Sequence, residues 1–170
     1  SWSSMEHVWT KLSGLTVDDI DVADTSGAWL DILLSLKEVG GTLDTSNQNI
    51  HGLYVHPATV TGGKEEIITS VRWSGSVVLL NRALALLRYR GPLGYSGEDQ
   101  LSIQVDDHGN TGAGGKQSIV VKIPIHVQAV DNTPKLTRHS STSSTTCGES
   151  VIEDTPLSIG CVSLTDTDRE

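Results

Sequence analysis

Phenylalanine is absent from this chain of 170 residues, aromatic residues amount to 4%, and Met occurs once. Basic residues are scarce: 12 Lys and Arg face 21 Asp and Glu, a net charge of −9. Without a cationic cluster, nucleic acid and anionic membranes are excluded as partners, because clustered Lys and Arg supply most of that affinity. No apolar run approaches the ~20 residues of a membrane helix. Residues 1–10 are too polar for a cleavable leader, so a mature fragment of a longer secreted or surface protein is expected. No Asn-x-Ser/Thr acceptor is present, which excludes N-glycosylation; the Ser/Thr run Ser140–Thr146 leaves O-glycosylation open on composition alone.

Cysteine is nearly absent too, with Cys147 and Cys161 alone. Neither has a His or further Cys at zinc spacing, so a thiolate metal site is excluded. A disulfide closing this short loop would stabilise the fold by roughly 3 kcal/mol. It is the expected state, in an oxidising compartment, the alternative being two unrelated buried thiols.

What is present is strand pattern. Between Gln117 and Val130, Ile119, Val121, Ile123, Ile125 and Val127 alternate with Val120, Lys122, Pro124 and His126. Period two predicts one buried face, with Val121, Ile123 and Ile125 inward and Lys122 and His126 on the wetter side. Pro124 cannot donate to a ladder, so part of this strand is expected on a sheet edge. Leu30 to Leu36, Ile67 to Trp73 and Leu101 to Val105 read as further strands, divided by Gly and Asp turns. Val77 to Leu87 differs, placing Leu80, Leu84 and Leu87 at helical spacing. The expectation is an all-β sandwich with a short inserted helix over about 77–87.

Met5–Asp21 aligns without gaps on Ile152–Asp168 at an offset of 147 positions. Glu6 falls on Glu153, Asp19 on Asp166 and Asp21 on Asp168, and the apolar positions agree. This predicts a unit over 1–134, a Ser/Thr-rich linker over 135–150 and the start of a second unit over 151–170. Acidic residues also collect where loops meet strands, at Asp18 and Asp19, Glu98 and Asp99, Asp106 and Asp107, and Asp131. Carboxylates gathered in this way repel unless a cation intervenes, and Ca²⁺ accepts 6–8 hard oxygen ligands. The plain alternative is turn formation and solubility.

Gly94 to Asn110 (Gly-Tyr-Ser-Gly-Glu-Asp-Gln-Leu-Ser-Ile-Gln-Val-Asp-Asp-His-Gly-Asn), Val130-Asp131-Asn132-Thr133-Pro134, and Glu153-Asp154-Thr155-Pro156-Leu157 leading to Thr165-Asp166-Thr167-Asp168 resemble tandem cadherin-like repeats of large surface proteins. The resemblance covers essentially the whole chain. It implies an Ig-like, Greek-key β-sandwich, an extracellular location, and Ca²⁺ stiffening the junctions between consecutive units. By that pattern Glu6 matches the first-strand Glu, Glu98 and Asp99 the acidic motif, Asp131 and Asn132 the linker, and Asp166 and Asp168 the following unit. Asp19 and Asp21, with Asp107, would face a preceding unit, and Glu153 would serve the next junction. Gln128 and Val130 replace two linker ligands, so fewer or weaker ions are implied. The helix is no part of the classical domain, and Trp2 stands out of register with that of strand-exchanging cadherins.

Enzymatic motifs are missing. Gly109 to Lys116 ends in Gly-Gly-Lys, but Asn110 and Gln117 stand where a phosphate loop needs Gly and Ser/Thr. There is no Gly-x-Ser-x-Gly elbow, and Glu65 and Glu66, as strand neighbours, would face opposite ways. The reading is a non-enzymatic structural or adhesive repeat whose partners are neighbouring repeats, other copies or surface glycoproteins. The alternative is a calcium-independent glycan- or protein-binding module using Trp29, Tyr54 or Trp73 at its rim.

Overall fold

Alternation along three long strands organises the chain. In β3 (Leu30–Leu36), Leu30, Ile32, Leu34 and Leu36 are buried, and Asp31, Leu33 and Ser35 lie on the opposite face. A computed structural model describes residues 1–19, 29–37, 39–45, 49–61, 67–109, 115–138, 153–154 and 162–166. The chain divides into two compact units, Ser1–Ala129 and Val130–Glu170.

The first unit is built almost wholly of strands. Its larger sheet comprises β1 (Trp2–Met5), β3, β5 (Tyr54–Val55), β6 (Thr59–Thr61), β7 (Ile67–Gly75), β9 (Gly97–Asp106) and β10 (Ser118–Gln128). They run in the order β1-β10-β9-β3-β7-β5, with β6 also on β7. The pairs are antiparallel except β1 with β10, which is parallel, with Trp2 opposite Ile125 and Met5 opposite Gln128. The smaller sheet is β2 (Thr10–Lys11), β8 (Arg88–Arg90) and β4 (Thr42–Asp44), in the order β2-β8-β4. Leu12, Leu43 and Tyr89 from its side join Ile32, Leu34, Trp73, Leu101 and Ile125 in one core. Among the described residues no helix is long and apolar enough to cross a membrane.

The inserted helix, α1, spans Val77–Leu84 and buries Leu80, Ala83 and Leu84. It stops before the expected 87 because Leu86 and Leu87 donate to Ala83 and Leu84 (3.0 and 3.2 Å), tightening the last turn. That turn still delivers Leu87 into the core. Asn81, a weak helix former, is explained by a clasp: its Oδ1 accepts from Val17 N–H and its Nδ2 donates to Val17 C=O, both at 2.8 Å. The segment after β2 is thereby tied to the helix.

In β10 the expected facing holds, but burial shifts along the strand. Ile125 and Val127 are fully buried and Ile123 is partly so, whereas Val121 is 46% and Ile119 62% exposed. The odd positions turn to the inner side, but towards Ser118 that side opens into an apolar cleft of about 270 Å³, lined by Leu15, Val17, Ile103, Val121 and Ile123. Pro124 lies just before the stretch paired with β1, on a free edge among the described residues, as its missing N–H requires.

The second unit is described at β11 (Lys135–Arg138) and β12 (Val162–Thr165), an antiparallel pair with Leu136 opposite Leu164. Leu15–Asp18, the counterpart of Val162–Thr165 in the repeat alignment, carries no strand. Most of the Ser/Thr-rich segment, with Cys147 and Cys161, lies outside the described residues.

Two stability outcomes follow from burial. Ile125→Ala should cost about 2–5 kcal/mol in urea unfolding, against about 0.5 kcal/mol for the exposed Val121→Ala. Asn81→Ala should cost about 1–3 kcal/mol, because it strands the Val17 peptide groups, while far-UV circular dichroism stays unchanged.

Candidate functional site

The parallel pair β1 and β10 ends together, and this brings three expected residues to one end of the larger sheet. Glu6 follows β1, is 3% exposed, donates its N–H to Gln128 C=O at 2.9 Å and bridges Gly91. Across β10, Glu98 pairs with His126 and Asp99 with Ile125, so both lie where β10 finishes and the chain continues to Asp131 and Asn132. Successive strand positions face opposite ways. Glu98 points outward, its Oε1 2.8 Å from His126 Nδ1, while Asp99 points inward and is 2% exposed.

Asp99 is held from both sides. Its Oδ2 accepts from the Tyr89 hydroxyl at 2.8 Å and its Oδ1 from Gln100 N–H at 2.7 Å. Burial pushes its carboxyl above the usual range, against the pull of the Tyr89 hydrogen bond. Burial, and then the Asp99 contact, likewise raise the Tyr89 phenol. Gly41 makes room: a Cβ there would sit 2.6 Å from Asp99 Oδ2 and 2.6 Å from Tyr89 Cε2.

The opposite end of the sheet holds another acidic set. Asp18, Asp19 and Asp107 line a cleft of about 240 Å³ beside Gln117 and Ser118. Asp107 Oδ1 accepts from Gln117 N–H (2.7 Å) and Gly109 N–H (2.8 Å), and these bonds hold its carboxyl below the usual range. In the second unit, Asp166 follows β12, Glu153 lies in a turn with Asp154, and Asn132 Nδ2 donates to Val130 C=O at 3.0 Å. Asp21 and Asp168 lie outside the described residues. Among the described residues no three His, Cys, Asp or Glu side chains converge as a metal would require.

A further polar cluster escaped sequence reasoning. On the outer face of the larger sheet, Asp31 Oδ1 accepts from the Ser74 hydroxyl, which is 2.7 Å from His56 Nε2. Asp31 Oδ2 lies 3.1 Å from His108 Nε2, and Lys116 Nζ lies 2.8 Å from Asp106 Oδ2. Burial raises the Asp31 carboxyl, but the Ser74 and His108 hydrogen bonds outweigh it and leave it lowered; Lys116 foremost lowers Asp106. The one signal was a set of polar residues at outward positions of alternating strands, which also describes any wetted face. Lys116 thus serves an ion pair, and β10 rather than a helix follows it. Trp73, expected at the rim, is fully buried; Trp29 and Tyr54 are exposed.

The shifted carboxyls act on stability with opposite signs. Asp99, raised in the folded state, favours folding most at low pH, and this contribution falls as pH rises from the unfolded value near ~3.9 through the folded one. Asp31 and Asp106, both lowered, stabilise above ~3.9 and lose that effect as pH falls. Urea melts from pH 3 to 7 should therefore show Asp99→Asn gaining on the parent protein as pH rises, and Asp31→Asn losing ground.

No family model matches the chain, and neither a curated protein nor a solved structure matches it.

Proposed function

We propose that the chain is a non-enzymatic, cadherin-like repeat of a longer extracellular protein, stiffened by Ca²⁺ at the junctions between units. The observation that carries this reading is the partition of acidic residues between the two ends of one sheet. Glu6 and Glu98 stand where the chain leaves for Asp131 and Asn132, with Asp99 turned inward beside them, and Asp19 and Asp107 stand at the other end. An end-to-end array needs that distribution, since each junction must draw ligands from the exit end of one unit and the far end of the next. The strand order supports the Ig-like Greek-key form: β1 parallel to β10 and followed by β9 and β3, with β2-β8-β4 as the facing sheet.

The mechanism is electrostatic. Carboxylates brought together at a hinge drive the units apart, and a divalent ion reverses that sign and fixes the angle between them. With Gln128 and Val130 in place of two ligands, affinity falls in the weak extracellular range of about 10⁻⁴–10⁻³ M. Rigidity then follows the calcium level of the surroundings. The partners are neighbouring repeats, with other copies or surface glycoproteins where the array is adhesive.

At about 10 mM calcium such affinities predict about 1.4–2.7 kcal/mol of added stability over the chelator-treated chain. Thermal melts should show the gain, and Glu6→Gln with Glu98→Gln should remove most of it. Small-angle scattering of two complete units should show a more extended particle with calcium. An unchanged melting temperature and scattering profile in chelator would leave packing alone at the junction.

A further inference from the structure

We propose that the recess on the outer face of the larger sheet binds an acidic oligosaccharide, with one sugar carboxylate seated on Arg72. The recess encloses about 190 Å³, the scale of a single sugar ring, below the ~300–1,000 Å³ of pockets for larger ligands. Strand register builds it. Asp31 stands opposite Ser74 and Asp106, and Leu33 opposite Arg72 and Gln104, so two rows of outward side chains form its floor. His108 and Lys116 supply the wall; His108 adopts a left-handed φ of 55° and its ring reaches Asp31.

The charges select the ligand. Each carboxylate has a close cationic or imidazole partner: Lys116 at 2.8 Å from Asp106 and His108 at 3.1 Å from Asp31. Arg72 is less engaged. Its nearest carboxylate oxygen is 3.9 Å away, and its side chain is 50% exposed. A planar guanidinium in that state can take one carboxylate in a bidentate fork. Asp31, Asp106 and Gln104 then offer acceptors to hydroxyl groups, and the two Asp residues repel a second negative charge. A dianion such as sulfate meets that repulsion, and a simple cation meets Arg72 and Lys116. A sugar acid brings a single charge per ring, which Arg72 can take, and several hydroxyls for the acceptors, so within the recess it meets less repulsion than either.

Tyr54 extends the site beyond one ring. It pairs with Ser74, two strands from Asp31 and so about 10 Å away. It is 56% exposed, with its ring edge-to-face on His56 at 4.6 Å, and presents an apolar surface to an adjoining sugar. None of these residues belongs to the acidic sets at the ends of the sheet. The site needs no calcium, and the two readings fail separately.

The test is an NMR titration of the whole chain in chelator, with tetragalacturonate as the probe. Saturable shifts are expected at Arg72, Gln104, His108 and Lys116. Arg72→Gln should weaken binding at least ~10-fold, and Arg72→Lys, which keeps the charge and loses the fork, should also weaken it. Tyr54→Ala should weaken it several-fold, Lys11→Gln on the smaller sheet should leave it unchanged, and the fully methyl-esterified tetramer should not bind. The proposal is overturned by the absence of shifts up to ~10 mM probe, by unchanged affinity in both Arg72 variants, or by sulfate or the ester binding there as tightly as the acid.

Discussion

Side-chain hydrogen bonds tie the two sheets together: Ser4 with Thr10 and Thr42 with Ile68 are partly buried, and the bond between Tyr89 and Asp99 is fully so. Tyr89 comes from the smaller sheet, Asp99 from the larger, and the hydroxyl meets the carboxylate at 2.8 Å with both residues almost fully buried. A buried carboxylate left without donors would be strongly unfavourable, so the bond is obligatory once Asp99 faces inward. Its geometry constrains the surroundings: Gly41 must lack a side chain, and Gly91 must too, since a Cβ there would come 2.8 Å from Val127 Cγ1. Glu6 bridges that same Gly91. The end of the sheet from which the chain departs is therefore closely fitted.

That close fit has an electrostatic consequence. The chain carries a net charge of −9, and six of its acidic residues stand at the two ends of the larger sheet, Glu6, Glu98 and Asp99 at one and Asp18, Asp19 and Asp107 at the other. At the far end Asp107 is partly compensated by backbone N–H groups. On the outer face the carboxylates of Asp31 and Asp106 have neighbouring cations or imidazole, so that face is settled within the unit. At the exit end Glu98 likewise has an imidazole neighbour, His126, and Asp99 has two donors, so the proposed junction and the proposed sugar site differ in the residues they use.

Long periodic strands were legible in the sequence because alternation over seven or more residues has one physical meaning. β3, β9 and β10 appeared where expected, as did the helix, whose leucines recur at helical spacing. Burial along β10 was less legible: period two tells which side Val121 faces, and only the opposing elements decide whether that side is covered. Tyr89 was missed because a three-residue strand between two arginines carries no period. Asp31 was missed because an acid between Leu30 and Ile32 looks the same whether it is solvated or lines a recess. Asp99 could be picked out beside Glu98, but only the register shows that the two point to opposite faces.

The claim that calcium engages the exit end is tested most directly by residue-resolved NMR of the chain during calcium titration. The account predicts saturable shifts centred on Glu6, Gly91, Gly97 to Gln100 and Gln128 to Asn132, with midpoints of about 10⁻⁴–10⁻³ M. Shifts absent from those residues, or confined to the Asp107 turn, would contradict it.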